Sequence, residues 1–174
     1  MKTVLIKYNA GNVQSVMYAL ERIGASYLWT DDEAEIRAAD RVIFPGVGEA
    51  STAMAHLRKT GLDRVIPTCR HSEENDTTGL GIFDVEVKRF PAGSQKVPHV
   101  GWNSISKFKS PLTEGLAEGA YVYFVHSYCA PVTAQTVATC EYVVPFSAML
   151  HRDNFYAAQF HAEISGDAGQ RILE

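Results

Sequence analysis

Three short apolar runs, each followed by a helix-like segment, fill the first 60 residues and leave few folds open. "TVLIKY" (3–8) is continuous and β-branched, the pattern of a strand buried on both faces. Val13, Val16, Met17, Leu20 and Ile23 then recur at helical spacing, with Asn12 placed as N-cap and Gly24 as C-terminal stop. "SYLWT" (26–30) reads as a second strand and "DDEAEIRAA" (31–39) as a short helix opening on acids. "RVIFP" (41–45) is a third strand, and Ala50, Ala53, Met54 and Leu57 mark a third helix ending before Gly61. This β-α-β-α-β-α order predicts an α/β fold, an open and mostly parallel sheet with helices on both faces.

The second half changes character. Residues 81–90, 99–108, 120–129 and 136–142 read as strands, and 146–163 as a hairpin turning at "HRDN". A last helix starts near 165. Residues 1–174 thus form one domain, an α/β sheet with an antiparallel strand insertion. The net charge of −4 and the lack of a basic block disfavour nucleic acid as a partner. No apolar run is long enough to span a membrane, and "MKTVLIKYNAGN" reads as a strand and not as a signal peptide. Cys69, Cys129 and Cys140 are odd in number and widely spaced. That argues against a disulfide framework and suggests a cytoplasmic location. No metal or cofactor is expected.

Ligands of open α/β sheets gather at the carboxyl ends of strands, and three clusters fall there. In "PGVG", Gly46 and Gly48 bracket Val47, so the backbone can turn N–H groups outward as an oxyanion hole requires. An ordinary strand-to-helix turn explains the same residues. In "QFHAE", His161 and Glu163 are two apart, which on an extended chain puts them on one face. A carboxylate that fixes a histidine tautomer is the back half of a nucleophilic triad, although a surface ion pair has the same spelling. In "VHSYC", His126, Ser127 and Tyr128 end an apolar strand and could read a small polar substrate or begin a loop. Cys129 lies three residues from His126, on the opposite face of a strand, which argues against their acting together; Cys140 reads as a core residue.

"YNAGN" (8–12), "FPGVGEA" (44–50), "VKRF" (87–90), "KVPHVGWN" (96–103), "YVYFVHSY" (121–128) and "NFYAAQFHAE" (154–163) together resemble the glutaminase subunits of imidazole glycerol phosphate synthase. These are class I glutamine amidotransferases of histidine biosynthesis, and the resemblance spans nearly the whole chain. It implies hydrolysis of L-glutamine by a Cys-His-Glu triad in which His161 is the base and Glu163 orients it. It implies an oxyanion hole at Gly46, Val47 and Gly48 that a peptide flip could open and close, and glutamine binding around His126, Ser127 and Tyr128. It also implies a (β/α)8-barrel cyclase partner, reached through Asn12 and Ser15, that takes up the ammonia to make imidazole glycerol phosphate and AICAR.

The resemblance has a hole. The family carries a Gly-x-Cys-x-Gly elbow on a strand, a strained turn and a helix start, just ahead of the "HSEE" loop. This chain runs from "VIPT" directly into "CRHSEEN", a polar loop by its composition. A strand of about five residues and a helical turn cannot fit near 68–70, and Cys69 lacks the flanking glycines. Either the natural chain carries an elbow absent from these 174 residues, or the elbow was deleted and the protein is a scaffold without glutaminase activity. The first is favoured, because losing an interior strand leaves backbone groups of its neighbours unpaired. The final helix also stops short at "RILE". Ala162 and Ile164 stand where the family has proline and a basic residue. A phosphate or nucleotide binder using the "NAGN" loop fits less well, since that loop has a single glycine. The intact mass of the protein from its natural source separates the two main readings. It is expected to exceed 19.2 kDa by the weight of a strand and a helix, and a mass of 19.2 kDa would establish the deletion.

Overall fold

β1 (Thr3–Ile6) is the axis of the N-terminal half of this computed structural model, which describes residues 1–8, 13–46, 50–64, 69–79, 81–93 and 95–174. β1 pairs in parallel with β2 (Leu28–Thr30) on one side and β3 (Arg41–Ile43) on the other. Its side chains alternate between two cores, as a strand covered on both faces requires. Val4 and Ile6 pack with Ile36 of α2 (Glu33–Arg37) and with Met54 and Leu57 of α3 (Ala50–Thr60). Leu5 points the other way, into Val13, Val16 and Leu20 of α1 (Val13–Arg22).

Local signals set the helix ends. Asp32 caps α2 by accepting from the N–H groups of Ala34 and Glu35. At the end of α1, Gly24 adopts φ +71°, its N–H donates to the Glu21 carbonyl and the Ala25 N–H to that of Leu20. This is the Schellman closure that glycine enters without strain. Asn12, expected as the N-cap of α1, lies outside the described residues.

The segment Cys69–Ser72, expected to open a polar loop, is a strand, β4. It pairs antiparallel with β5 (Thr77–Thr78) and in parallel with β6 (Phe83–Arg89), which β9 (Tyr128–Cys129) extends. Its polar composition concealed it, because Ser72 is buried and its hydroxyl is used locally, accepting from the Glu74 N–H. The junction just before β4, residues 65–68, lies outside the described residues.

β7 (His99–Ile105) and β8 (Ala120–His126) form an antiparallel pair, and β10 (Thr136–Tyr142), β11 (Val144–Arg152) and β12 (Phe155–Ala158) an antiparallel meander. A bridge between Ser106 and Thr139 ties the two together. α4 (Gly166–Leu173) closes the described chain. The expected α/β class is therefore present, with the parallel sheet confined to the N-terminal half and a large antiparallel part beside it. The largest core lies in that part, where Phe124 meets Phe146 and Phe160 edge-on at centroid distances of 5.6 and 5.9 Å. The opposite face of β7–β8 presents Val100, Trp102, Tyr121 and Val125 to solvent. Phe124→Ala is expected to lower unfolding stability by about 3–5 kcal/mol, the range for removing a fully buried aromatic ring. Urea titration checks this, and a loss below about 1 kcal/mol would show that the core collapses around the gap.

Candidate functional site

His161 and Glu163 are brought together by a turn and not by a shared strand face. The chain leaves β12, passes Phe160 into the core, and enters a 3-10 turn at Ala162–Ile164 with His161 at its start. The turn folds Glu163 back, so that its Oε1 lies 2.9 Å from Nδ1 of His161. The Glu163 side chain is only 12% exposed and that of His161 33%. A carboxylate can only accept from this ring, so Nδ1 carries the proton and Nε2 is left basic and available. The hydrogen bond to Glu163 raises the His161 pKa, burial opposes it, and the carboxylate charge adds to the rise. The pair is a histidine with a fixed tautomer, made more basic by its neighbour, as a general base requires.

The turn is bound to β8. The His161 N–H donates to the Tyr123 carbonyl at 2.9 Å, and the Tyr123 N–H donates to Oγ of Ser165, also at 2.9 Å. Farther along β8, His126 closes a second histidine network. Its Nδ1–H donates to the Tyr128 carbonyl at 2.8 Å, so its Nε2 is the acceptor and takes the proton of His99 Nδ1 at 3.2 Å. His99 is 3% exposed and lies between the rings of Tyr142 and Phe124, with centroids 3.8 and 4.8 Å away. Burial, together with the nearby His126, lowers the His99 pKa to about 4. His126 is also lowered, by burial first, with the Tyr128 carbonyl opposing and His161 contributing.

The other expected site residues are distributed as follows. Both ring nitrogens of His126 are engaged inside the protein, so its imidazole is not free to bind a ligand. The Ser127 carbonyl accepts from the Phe90 N–H, and Tyr128 pairs with Arg89, which ties the turn to β6. Gly46 is exposed just beyond β3, with open space around it. Val47 and Gly48 lie outside the described residues, as does Asn12. Ser15 sits half-buried in the first turn of α1. Cys129 and Cys140 are buried free thiols whose pKa values burial pushes up to about 11 and about 12, so neither is an activated nucleophile. Among the described residues no group of three or more His, Cys, Asp or Glu could hold a metal, and no helix is long and apolar enough to cross a membrane. His99 and Ser165 were missed by reading the sequence. A buried polar residue announces itself through its partners, which only the fold assembles.

Over residues 4–174 the chain matches the family described as Glutamine amidotransferase class-I. It is similar to imidazole glycerol phosphate synthase subunit HisH of Bacteroides fragilis (strain YCH46), 51% identical over an alignment of 191 residues that takes in 100% of this chain and 97% of that one. The HisH subunit of Bacteroides thetaiotaomicron is likewise 51% identical, over 99% of this chain and 97% of its own. That of Shewanella loihica is 40% identical over 98% and 88%. Since 174 residues fill an alignment of 191, at least 17 positions of the B. fragilis chain have no counterpart here. Among solved structures, a glutamine amidotransferase superposes with a TM-score of 0.71 at 17% identity, over 95% of this chain and 93% of that one. PurLQS from Thermotoga maritima gives 0.67 at 15%, over 99% and 95%. These two likenesses concern the fold.

The buried neutral His99 makes the fold acid-sensitive. Its folded pKa is depressed, so the unfolded chain binds the proton first as pH falls from the ordinary value near 6.5 towards about 4. Stability is therefore fully present above 6.5 and is lost through that window, by roughly 3 kcal/mol at most. His161, with its raised pKa, acts in the opposite sense, its contribution being present below 6.5 and lost as pH rises through the raised value. Urea unfolding at pH 7 and pH 5 is expected to show a smaller acid loss for His99→Gln than for the parent. Equal losses would mean that carboxylate protonation alone sets the acid limit.

Proposed function

The chain belongs to the class I glutamine amidotransferase family, and from that premise we propose that His161 and Glu163 are the base and the orienting carboxylate of a cysteine–histidine–glutamate triad. The protein is a glutaminase subunit of the imidazole glycerol phosphate synthase type, one that supplies ammonia from glutamine for histidine biosynthesis once an elbow completes its triad. The observation that carries the residue assignment is the 2.9 Å bond between His161 Nδ1 and the largely buried carboxylate of Glu163, which leaves Nε2 free for proton transfer.

In this reading a cysteine thiol yields its proton to Nε2 and the thiolate attacks the glutamine carboxamide carbon. The C–N bond then breaks, Nε2–H protonates the leaving nitrogen, and ammonia departs from a thioester. Water, deprotonated by the same Nε2, hydrolyses the thioester to glutamate and regenerates the thiol. Glu163 holds the ring and stabilises its charged form at each transfer. Ser127 and Tyr128 bind glutamine, and backbone N–H groups of the loop at Gly46, Val47 and Gly48 receive the oxyanion. The thiol belongs to an elbow of the kind the relatives' extra positions have room for. Ammonia must reach its acceptor without entering bulk water, which calls for a cyclase subunit, in this reading a (β/α)8 barrel, docked over the site. The solvent-facing apolar side chains Val100, Trp102, Tyr121 and Val125 on β7–β8, beside the Tyr123 that binds the His161 turn, suit such a partner.

The test is to insert a 17-residue segment containing Gly-x-Cys-x-Gly, copied from a Bacteroides relative, between Thr68 and Cys69. With the cyclase subunit present, glutamine-dependent turnover is expected to appear. His161→Ala in that background should reduce it by roughly 10²–10⁴ while ammonia-dependent turnover survives. The 174-residue chain should not hydrolyse glutamine by this route. Equal turnover with and without the elbow would identify a different nucleophile and end this reading.

A further inference from the structure

We propose that Ser165 is a positioning residue for the His161–Glu163 pair, its hydroxyl closing the turn that carries the pair and fixing that turn to the backbone of β8. The catalytic meaning of this inference rests on the function proposed above, whereas its geometry stands by itself. Ser165 is 1% exposed, which makes it one of the most deeply buried polar side chains described. Its Oγ–H donates to the His161 carbonyl at 2.6 Å, and the same oxygen accepts the Tyr123 N–H at 2.9 Å. The His161 N–H in turn donates to the Tyr123 carbonyl. These three bonds form a closed ring in which one hydroxyl joins the backbone of the catalytic turn to the backbone of the strand.

The His161 N–H bond to the Tyr123 carbonyl ties the start of the turn to β8, and the Ser165 hydroxyl ties its end. Within the turn, the Ile164 N–H donates to the His161 carbonyl and the Ser165 N–H to that of Ala162. Those bonds set the turn's own shape but do not anchor it to β8. Ala162 leaves its φ free where a proline would have fixed it, so the direction in which Glu163 points depends on hydrogen bonds. α4 presses on the turn from behind. The Gly169 N–H donates to the Ser165 carbonyl, and a Cβ at Gly169 would come within 1.9 Å of the Ala162 carbonyl oxygen and 2.8 Å of Ser165 Cβ. Only glycine allows this approach, so the turn is clamped between a strand on one side and a helix on the other, with Ser165 touching both. Arg22 of α1 reaches the Glu163 carbonyl at 3.4 Å from the solvent side.

The readout is the imidazole titration of His161, followed by NMR in the 174-residue chain and assigned by comparison with His161→Asn. The titratable groups bearing on this ring are the Glu163 carboxylate, which raises its pKa, and His126 from β8; Arg22 meets the Glu163 backbone. Ser165→Ala is expected to shift the His161 midpoint downward towards the ordinary imidazole value, as the Glu163 contact loosens, with the His99 resonance unmoved. Ser165→Thr, which keeps the hydroxyl, should restore the parent midpoint. Thr136→Val serves as the destabilised control, because it removes the buried 2.7 Å Thr136–Ser147 hydroxyl bond on the β10–β11 sheet and should leave the His161 midpoint unchanged. A Ser165→Ala protein that is destabilised like the control but titrates like the parent at His161 would overturn the proposal. Should Ser165→Ala fail to fold, Ser165→Cys decides, since its longer, weaker donor should give a partial downward shift and an unmoved midpoint refutes the role. The titration reads the geometry of the pair whether or not His161 acts in glutamine hydrolysis. Failure of this proposal is therefore distinguishable from failure of the functional reading, which the elbow insertion and His161→Ala test.

Discussion

The backbone of Tyr123 holds the two halves of the site in register. Its carbonyl takes the His161 N–H and its N–H is taken by the Ser165 hydroxyl, so one residue of β8 fixes both ends of the turn that carries the candidate base. β8 can serve as this anchor because it is itself immobilised on both sides. Phe124 and Val122 are fully buried in the main core, and seven consecutive residues pair with β7. A base must hold its geometry to a fraction of an ångström to transfer protons efficiently. A strand locked by packing and by a ladder is a stiffer support than a loop, and the turn borrows that stiffness through two hydrogen bonds to Tyr123.

The same strand separates three histidines by electrostatics. His99, which is buried, and His126, which is partly so, share a hydrogen bond and have lowered pKa values. His161 alone has a carboxylate partner and a raised one. A charged His126 would place a like charge near His161 and oppose its protonation. Keeping that pair neutral, with each tautomer dictated by the Tyr128 carbonyl at the end of the network, lets Glu163 govern the titration of His161. The stacking of His99 between Tyr142 and Phe124 reinforces this arrangement, since the aromatic faces exclude the water a second charge would need.

Reading the sequence located the parallel half well because its signals are local. The continuous apolar run at 3–8, the helical recurrence through Val13, Val16 and Leu20, and the stop at Gly24 each depend on neighbours in sequence. The pairing of His161 with Glu163 was also legible, but for a different geometric reason, because two residues apart meet on this turn and not on a strand. What escaped was whatever depends on distant partners. Cys69–Ser72 has no apolar alternation, and its strand character comes from β5 and β6 on either side. Ser165 reads only as the start of the last helix, yet its hydroxyl accepts from the backbone of a residue 42 positions away. His99 reads as one more strand residue until Tyr142 and Phe124 enclose it.

The point in the sequence where the family pattern is interrupted, between Thr68 and Cys69, acquires a physical meaning from β3. Among the described residues β3 pairs only with β1, so its outer row of N–H and C=O groups faces no strand, and Val42 is 44% exposed. Sheets that end at an edge by design blunt it with charge, bulges or proline within the strand. β3 has Arg41 at its start, but Val42 and Ile43 follow it, the composition of an interior strand. At the opposite edge, Lys7 lies over the ring of Trp29, 5.4 Å from its centroid, and gives β2 partial cover. The relatives' 17 or more additional positions are close to what a strand of about five residues, a tight turn and two helical turns require, roughly 15 in all. A strand of that length laid beside β3 would satisfy its open edge, cover Val42, and end at the same carboxyl edge as Gly46. That is where open α/β sheets collect their ligands, and where the thiol of the proposed triad would stand.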